Sequence, residues 1–272
     1  MRNRTARARC LTYTPLLARE VRILSLFSLL LISSFAAFGA AGAQGTVGFR
    51  SGFTEGNGIP PRGRVDVDYG SSVLEANGVR GFLAGEVTAH VPMTRRIGVR
   101  VHLNSYSRIT TPQRTVAGRE DMGIGTAFNV SENHGWRPSA ALLTRVDVPS
   151  GSLPGQGTAW RPTMKAALSW RLPSRVTLAS NFGVAIPGAR GEQFTQHFGS
   201  LWLGRPVAGR IGSFAEIFAF DREARAGAST RYVRGGLTLL VRNTLHVDLH
   251  ASTQLTGVAP RRMFGIGAKH RL

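Results

Sequence analysis

Cysteine is nearly absent from this sequence of 272 residues; the single one, Cys10, stands close to the start. That leaves no disulfide within the chain and no site built on cysteine ligands. Lysine is almost missing too: Lys165 and Lys269 are the only two, so the 34 basic residues are nearly all arginine. Long apolar runs are the third scarcity. Beyond residue 43 no stretch approaches the ~20 apolar residues that a spanning helix requires. Such a chain enters lipid only as a closed barrel, because the hydrocarbon core satisfies no unpaired backbone group. Acidic residues are few, 15 in all, and the net charge is +19. Basic charge suggests nucleic acid when it gathers in a patch. Here the arginines are scattered, so no nucleic-acid partner is expected. Their distribution suits contact with anionic lipid and lipopolysaccharide headgroups, or a field that favours anionic solutes.

What is present begins with a targeting pattern. Residues 1–22 carry six arginines and one glutamate, an apolar run follows from Ile23 to about Phe38, and Ala41-Gly42-Ala43 closes it. A basic stretch, a short apolar core and a small-x-small site make a secretory signal cleaved near Ala43. Read as a membrane anchor instead, the run is too short and is interrupted by Ser25, Ser28, Ser33 and Ser34. The chain then divides into a signal peptide over 1–43, a periplasmic lead over 44–62 and a barrel over 63–272.

The remainder is strand-like. Strict apolar/polar alternation between turn residues is the strand signature. It recurs in 64–69, in 97–104, and in 122–130, where Met122, Ile124, Phe128 and Val130 oppose Gly123, Gly125, Ala127 and Asn129. It recurs again in 245–251 and 263–272, where Gly265 and Gly267 share a face with Lys269 and Arg271. Small residues on that face fit the inside of a narrow barrel. About twelve such runs follow one another from residue 63, each near the ~9–11 residues of a tilted membrane strand, and the number is even as bacterial barrels require. Longer connections (71–81, 109–120, 149–155, 187–193, 221–230, 257–262) alternate with shorter ones (94–96, 132–137, Pro173-Ser174, Arg205-Pro206, Asn243-Thr244). Short periplasmic turns facing longer outer loops are a barrel property, and a soluble sandwich has no reason to keep that parity. The expected fold is therefore all-β, a transmembrane antiparallel up-and-down β-barrel of about 12 strands in the bacterial outer membrane, placed there by barrel assembly machinery. Trp136, Trp160, Trp170 and Trp202 fall near predicted strand ends, where interface girdles lie.

Several segments of the second half resemble a known family. The run Pro138-Ser139-Ala140-Ala141-Leu142-Leu143-Thr144-Arg145-Val146-Asp147-Val148-Pro149-Ser150-Gly151 is similar to its apolar strand followed by Pro-Ser/Thr-Gly. Leu168-Ser169-Trp170-Arg171-Leu172-Pro173, Gly212-Ser213-Phe214-Ala215-Glu216, Gly235-Gly236-Leu237-Thr238-Leu239-Leu240 and Phe264-Gly265-Ile266-Gly267-Ala268 follow in the family's order. The resemblance, over about 120–272, is to outer-membrane barrels labelled putative MetA-pathway of phenol degradation proteins, often called simply transporters. It implies a membrane barrel with a transport role. The family's label is the only pointer to an aromatic solute, and no residue pattern here reads as an aromatic-ring site.

By strand parity the lumen-facing set comprises Arg100, His102, Arg145, Asp147, Lys165, Arg171, Arg234, His246, Asp248, His250, Lys269 and Arg271. These are candidate contacts for a small anionic or aromatic solute in a polar pore. A closed lumen of self-paired charges uses the same residues, since barrel interiors are polar in any case. His246-x-Asp248-x-His250 carries ligand chemistry for a metal, but alternate strand residues stand about 7 Å apart, so no metal is expected. Ser252 beside His250, and Ser105 near His102, lack a Gly-x-Ser-x-Gly elbow. No catalytic residue and no cofactor is therefore expected. The expected function is a passive channel or transporter for small solutes; the alternatives are a closed structural barrel and a lipid-modifying enzyme.

Overall fold

A computed structural model describes residues 53–56, 58–256 and 261–272. The expected signal peptide, about half of the expected lead and the tip of the last loop lie outside these residues. Fourteen strands form one antiparallel sheet: β1 (Asp66–Ala76), β2 (Val79–Pro92), β3 (Ile97–His102), β4 (Tyr106–Thr110), β5 (Thr115–Arg119), β6 (Met122–Ser131), β7 (Ser139–Val148), β8 (Arg161–Arg171), β9 (Thr177–Ala185), β10 (Gln196–Ala208), β11 (Ile211–Phe220), β12 (Thr230–Arg242), β13 (Leu245–Gln254) and β14 (Arg262–Arg271). β2 pairs with β3 along one half and with β4 along the other, so β3 and β4 are one interrupted wall strand. β5 and β6 continue one another in the same way, β5 beside β4 and β6 beside β3. The wall thus has twelve strand positions. It closes where β1 bonds β2 on one side and β14 on the other; β5, bonded among the described strands to β4 alone, keeps one side unpaired.

Alternation fixes which side chain faces where, because successive residues of a strand point to opposite faces. Ile124, Phe128, Phe182, Leu201, Ile217, Leu237, Leu249, Phe264 and Ile266 are exposed on the outside. Asp66, Asp68, His90, Arg100, Asn181, Glu216, Arg234 and Asp248 are buried inside. An apolar exterior over a charged interior inverts a soluble protein and matches a wall facing hydrocarbon. Inner glycines give room to neighbouring side chains. A methyl at Gly265 would stand 2.3 Å from Nε2 of His250, and one at Gly123 would stand 2.8 Å from Nε of Arg145.

Four expectations need correction. The first connection is not a loop over 71–81 but a two-residue turn, Asn77-Gly78, with φ of 47° and 77°. Those positive angles define the hairpin turn whose twist suits strand pairing, and strands run through both flanks. The region 109–120 is mostly the β4–β5 hairpin, closed by Thr111 accepting from and donating to Arg114. Arg205-Pro206 is no turn: β10 continues to Ala208, with Pro206 at a bulge, where a residue lacking an N–H is tolerated. Trp202 belongs to no interface girdle. It is buried inside β10 and stacks on Phe214, with ring centroids 5.8 Å apart. Loops at 149–160, 186–195 and 221–229 remain the long ones and share one end of the barrel, opposite the antiparallel bonds joining Val65 to Leu272.

Candidate functional site

The segment preceding β1 enters the barrel. Phe53, Thr54 and Glu55 lie within the lumen, whereas 44–62 as a whole reads from sequence as a lead beneath it. Thr54 is wholly buried. Its backbone N–H donates to Glu216 Oε1 at 2.5 Å, the N–H of Phe53 donates to Oε2 at 3.1 Å, and its hydroxyl donates to Ser200 Oγ at 2.7 Å. Asn181 holds the next residue from both sides: Oδ1 accepts from the N–H of Glu55 at 2.6 Å and Nδ2 donates to its carbonyl at 3.1 Å. Inside a barrel no sheet ladder serves an extra segment, so wall side chains must satisfy its backbone; Asn181 from β9 and Glu216 from β11 do so, while Ser200 from β10 takes the Thr54 hydroxyl.

The Phe53 ring completes an aromatic cluster. It stacks on Phe218 (5.0 Å between centroids, 14° between planes) and meets Phe198 and Phe220 edge-on at 5.3 and 5.0 Å. Phe218 also stacks on Tyr232 at 4.8 Å. Ile59 packs against Ala127, Ala141, Leu143 and Ala167.

Charge pairs run around the inner wall. Arg271 donates to both oxygens of Asp66 at 2.7 and 2.9 Å, and Lys269 lies 3.6 Å from Asp66 and 3.4 Å from Asp68. His90 Nε2 meets Asp68 at 2.9 Å, while Arg100 Nε donates to His90 Nδ1 at 3.2 Å. That donation places the proton of a neutral His90 on Nε2, directed at Asp68. Arg100 Nη1 then reaches Glu55 Oε2, and Lys165 from β8 holds Glu55 Oε1. Burial pushes the Glu55 carboxyl up, but Arg100 and Lys165 outweigh it and hold it well below the usual carboxylate range. Across the lumen Arg234 stands 3.5 Å from Glu216 and over the face of Phe218.

Two cavities lie along one side of the lumen. A cavity of about 200 Å³ is bounded by Glu55, Arg100, His102, Arg145, Asp147 and Lys165. A second, of about 250 Å³, lies toward the loop end beside Asp121, Gln156, Arg161 and Pro187. Arg145, Asp147 and Thr163 line both. Arg145 bonds Asp147 at 2.5 Å, and Arg161 lies 3.7 Å from Asp147 and 3.0 Å from Asp121. Asp121 Oδ1 also accepts the backbone N–H groups of Ser150, Gly151 and Gly157 at 2.7–2.9 Å, which ties the 149–157 loop inward.

The sequence-predicted set therefore separates. Arg100, His102, Arg145, Asp147 and Lys165 converge on one cavity. Lys269 and Arg271 bind Asp66, and Arg234 faces Glu216. His246 pairs in register with Lys269. His250 bonds Asp248 at 3.2 Å, lies over Gly265 and makes no hydrogen bond to Ser252. Arg171 is exposed at the far end of β8, outside this convergence, because inner parity does not bury a residue at a strand terminus. Among the described residues no three His, Asp or Glu groups are placed to hold a metal. Sequence reasoning missed Asp66, Asp68, His90, Asn181 and Glu216 as inner partners, although their alternation was visible. Glu55 and the aromatic cluster carried no such signal.

Comparison with known proteins agrees with this architecture. The family model described as Putative MetA-pathway of phenol degradation matches residues 48–272. The fold is similar to the COG4313 outer membrane channel from Pseudomonas putida F1, at 11% identity and a TM-score of 0.59, covering 78% of this chain and 97% of that one. It is also similar to the NanC porin, at 7% identity and a TM-score of 0.53, covering 76% and 100%. A search of curated proteins finds no match. With its closed twelve-position wall, apolar exterior and charged lumen, the chain belongs to the outer-membrane barrel family described as Putative MetA-pathway of phenol degradation.

Proposed function

We propose that this protein is a passive channel of the bacterial outer membrane for small polar solutes, anions preferred, whose resting lumen is occupied by Phe53, Thr54 and Glu55. The observation that carries the reading is the pair of adjoining cavities running from the loop end down to Glu55. A barrel needing only mechanical closure has no use for a polar path along one wall. Arg100, Arg145, Arg161 and Lys165 line that path beside Glu55, Glu120, Asp121 and Asp147, and withdrawal of Glu55 leaves the cations in excess, which favours anions. In this reading the chain is exported with cleavage near Ala43, assembled by barrel machinery and seated among lipid and lipopolysaccharide.

The closed structural barrel has one observation in its favour, the tight packing of Phe53, Thr54 and Glu55. Planar-bilayer recording decides between the two. The full-length folded protein is expected to give discrete conductance steps, with a reversal potential favouring chloride in a KCl gradient. Replacing Phe53, Thr54 and Glu55 together by glycine is expected to raise the open fraction. Silence from both proteins would establish the closed barrel instead.

A further inference from the structure

Among the described residues, the ion pairs of the lumen join two wall residues, apart from the two that Glu55 makes. Arg145 has Asp147, Arg161 has Asp121 and Asp147, Arg234 has Glu216, Lys269 has Asp66 and Asp68, and Arg271 has Asp66. Arg100 and Lys165 differ. Among the described residues their only carboxylate is Glu55, which the wall does not own. They come from β3 and β8, which are not neighbours in the sheet, yet they converge on one point and take one oxygen each of a single carboxylate. Their side chains are nearly buried, so two cations without a counter-ion there would be costly.

The surroundings suit a ligand. The cavity beside Glu55 has about 200 Å³, and Lys165 also lies over the Phe198 ring, 5.8 Å from its centroid. Phe198 is one of the rings that receive Phe53. The incoming segment thus presents a ring and a carboxylate to adjoining parts of the wall.

We propose that Arg100 and Lys165 form a receptor for a carboxylate group on the permeating solute, and that Glu55 fills it in cis until a solute carboxylate displaces it. The proposal rests on the channel reading above and adds the solute class, a small monocarboxylate. Binding and gating are then one competition: whatever takes the two cations from Glu55 removes the ionic anchor that holds this residue to β3 and β8.

Equilibrium binding to the full-length, detergent-solubilised barrel tests it, with folding checked by heat-dependent mobility in SDS. The probes are benzoate and its cationic counterpart benzylamine. Removing a charge-assisted competitor by Glu55→Ala is expected to tighten benzoate binding at least about tenfold. Adding Lys165→Met or Arg100→Gln is expected to reverse that gain. Equal benzoate affinity in wild type and Glu55→Ala would overturn the proposal, as would benzylamine binding Glu55→Ala as tightly as benzoate does. If the added substitutions prevent folding, the benzoate–benzylamine comparison on Glu55→Ala decides alone. Binding is read without current, so tight benzoate binding in a barrel that never conducts would sink the channel reading and leave the receptor standing. Conductance without benzoate binding would do the reverse.

Discussion

The backbone N–H of Thr54 donates to a carboxylate, Glu216, that is itself buried in the barrel wall opposite Arg234. Glu216 thereby serves two clients, the lumen segment and the wall cation. Glu216→Ala removes the acceptor for Phe53 and Thr54 and strips Arg234 of its nearest carboxylate. Breaking one member of a buried pair typically costs ~3–5 kcal/mol. Glu216→Gln keeps one acceptor oxygen and should cost less. Denaturant unfolding of the refolded barrel measures both; the expected order of stability is wild type, Gln, Ala.

Facing decides tolerance to charge. Ile124 is exposed on the outer wall, and Ile124→Arg should hinder assembly, at ~2–4 kcal/mol near mid-bilayer. Val99→Arg belongs to the same class by parity. Thr238 faces inward, with its hydroxyl beside Gly212, and Thr238→Arg should be better tolerated. The yield of heat-modifiable protein in the outer-membrane fraction checks the contrast, and equal yields would invalidate the facing assignment.

Much of this wall is legible in the sequence, because lipid on one side and charge on the other impose a period of two on every strand. Ile124 against Gly125, and Leu249 against Asp248, show that signal at full strength. It weakened where strands leave the apolar zone. Ser71 and Ser72 give a strand the composition of a loop, although Asn77-Gly78 is a strong hairpin signal in its own right. The lumen segment was beyond reach for a different reason. Phe53, Thr54 and Glu55 have no periodicity, and their partners Asn181, Ser200, Glu216, Arg100 and Lys165 are scattered over more than a hundred residues. Only closure of the barrel brings them together.

The His250 ring occupies the place where a side chain at position 265 would stand. Gly265→Val should therefore destabilise the barrel by about 1–3 kcal/mol through overpacking. Gly199 is the control: a methyl there meets nothing closer than 3.7 Å, so Gly199→Ala should be neutral. Denaturation midpoints of the two variants are the measurement.

Asp121 links the 149–157 loop to the lumen wall. Burial raises its carboxyl, but the N–H groups of Ser150, Gly151 and Gly157, with Arg161, outweigh that and lower it below the ordinary value. A depressed acid contributes its stabilisation fully above the unfolded value of about 3.9 and loses it as pH falls through the lower folded value. Hydrogen exchange at those three amides, corrected for intrinsic rates, should stay slow from neutral pH to about 4 and quicken only in stronger acid. Asp121→Asn should exchange fast throughout. Protection in the variant equal to wild type at neutral pH would show that the loop is held by something else.

The central claim is that Phe53, Thr54 and Glu55 close a barrel able to conduct. The hydroxyls of Thr54 and Ser200 stand 2.7 Å apart, close enough for a disulfide between cysteines placed there, whose Cβ atoms lie ~3.8 Å apart. In a chain with Cys10→Ser, the double variant Thr54→Cys/Ser200→Cys should be silent in a planar bilayer when oxidised. It should begin to conduct in discrete steps when a reductant is added to the same membrane. Conductance that is the same before and after reduction would contradict the account.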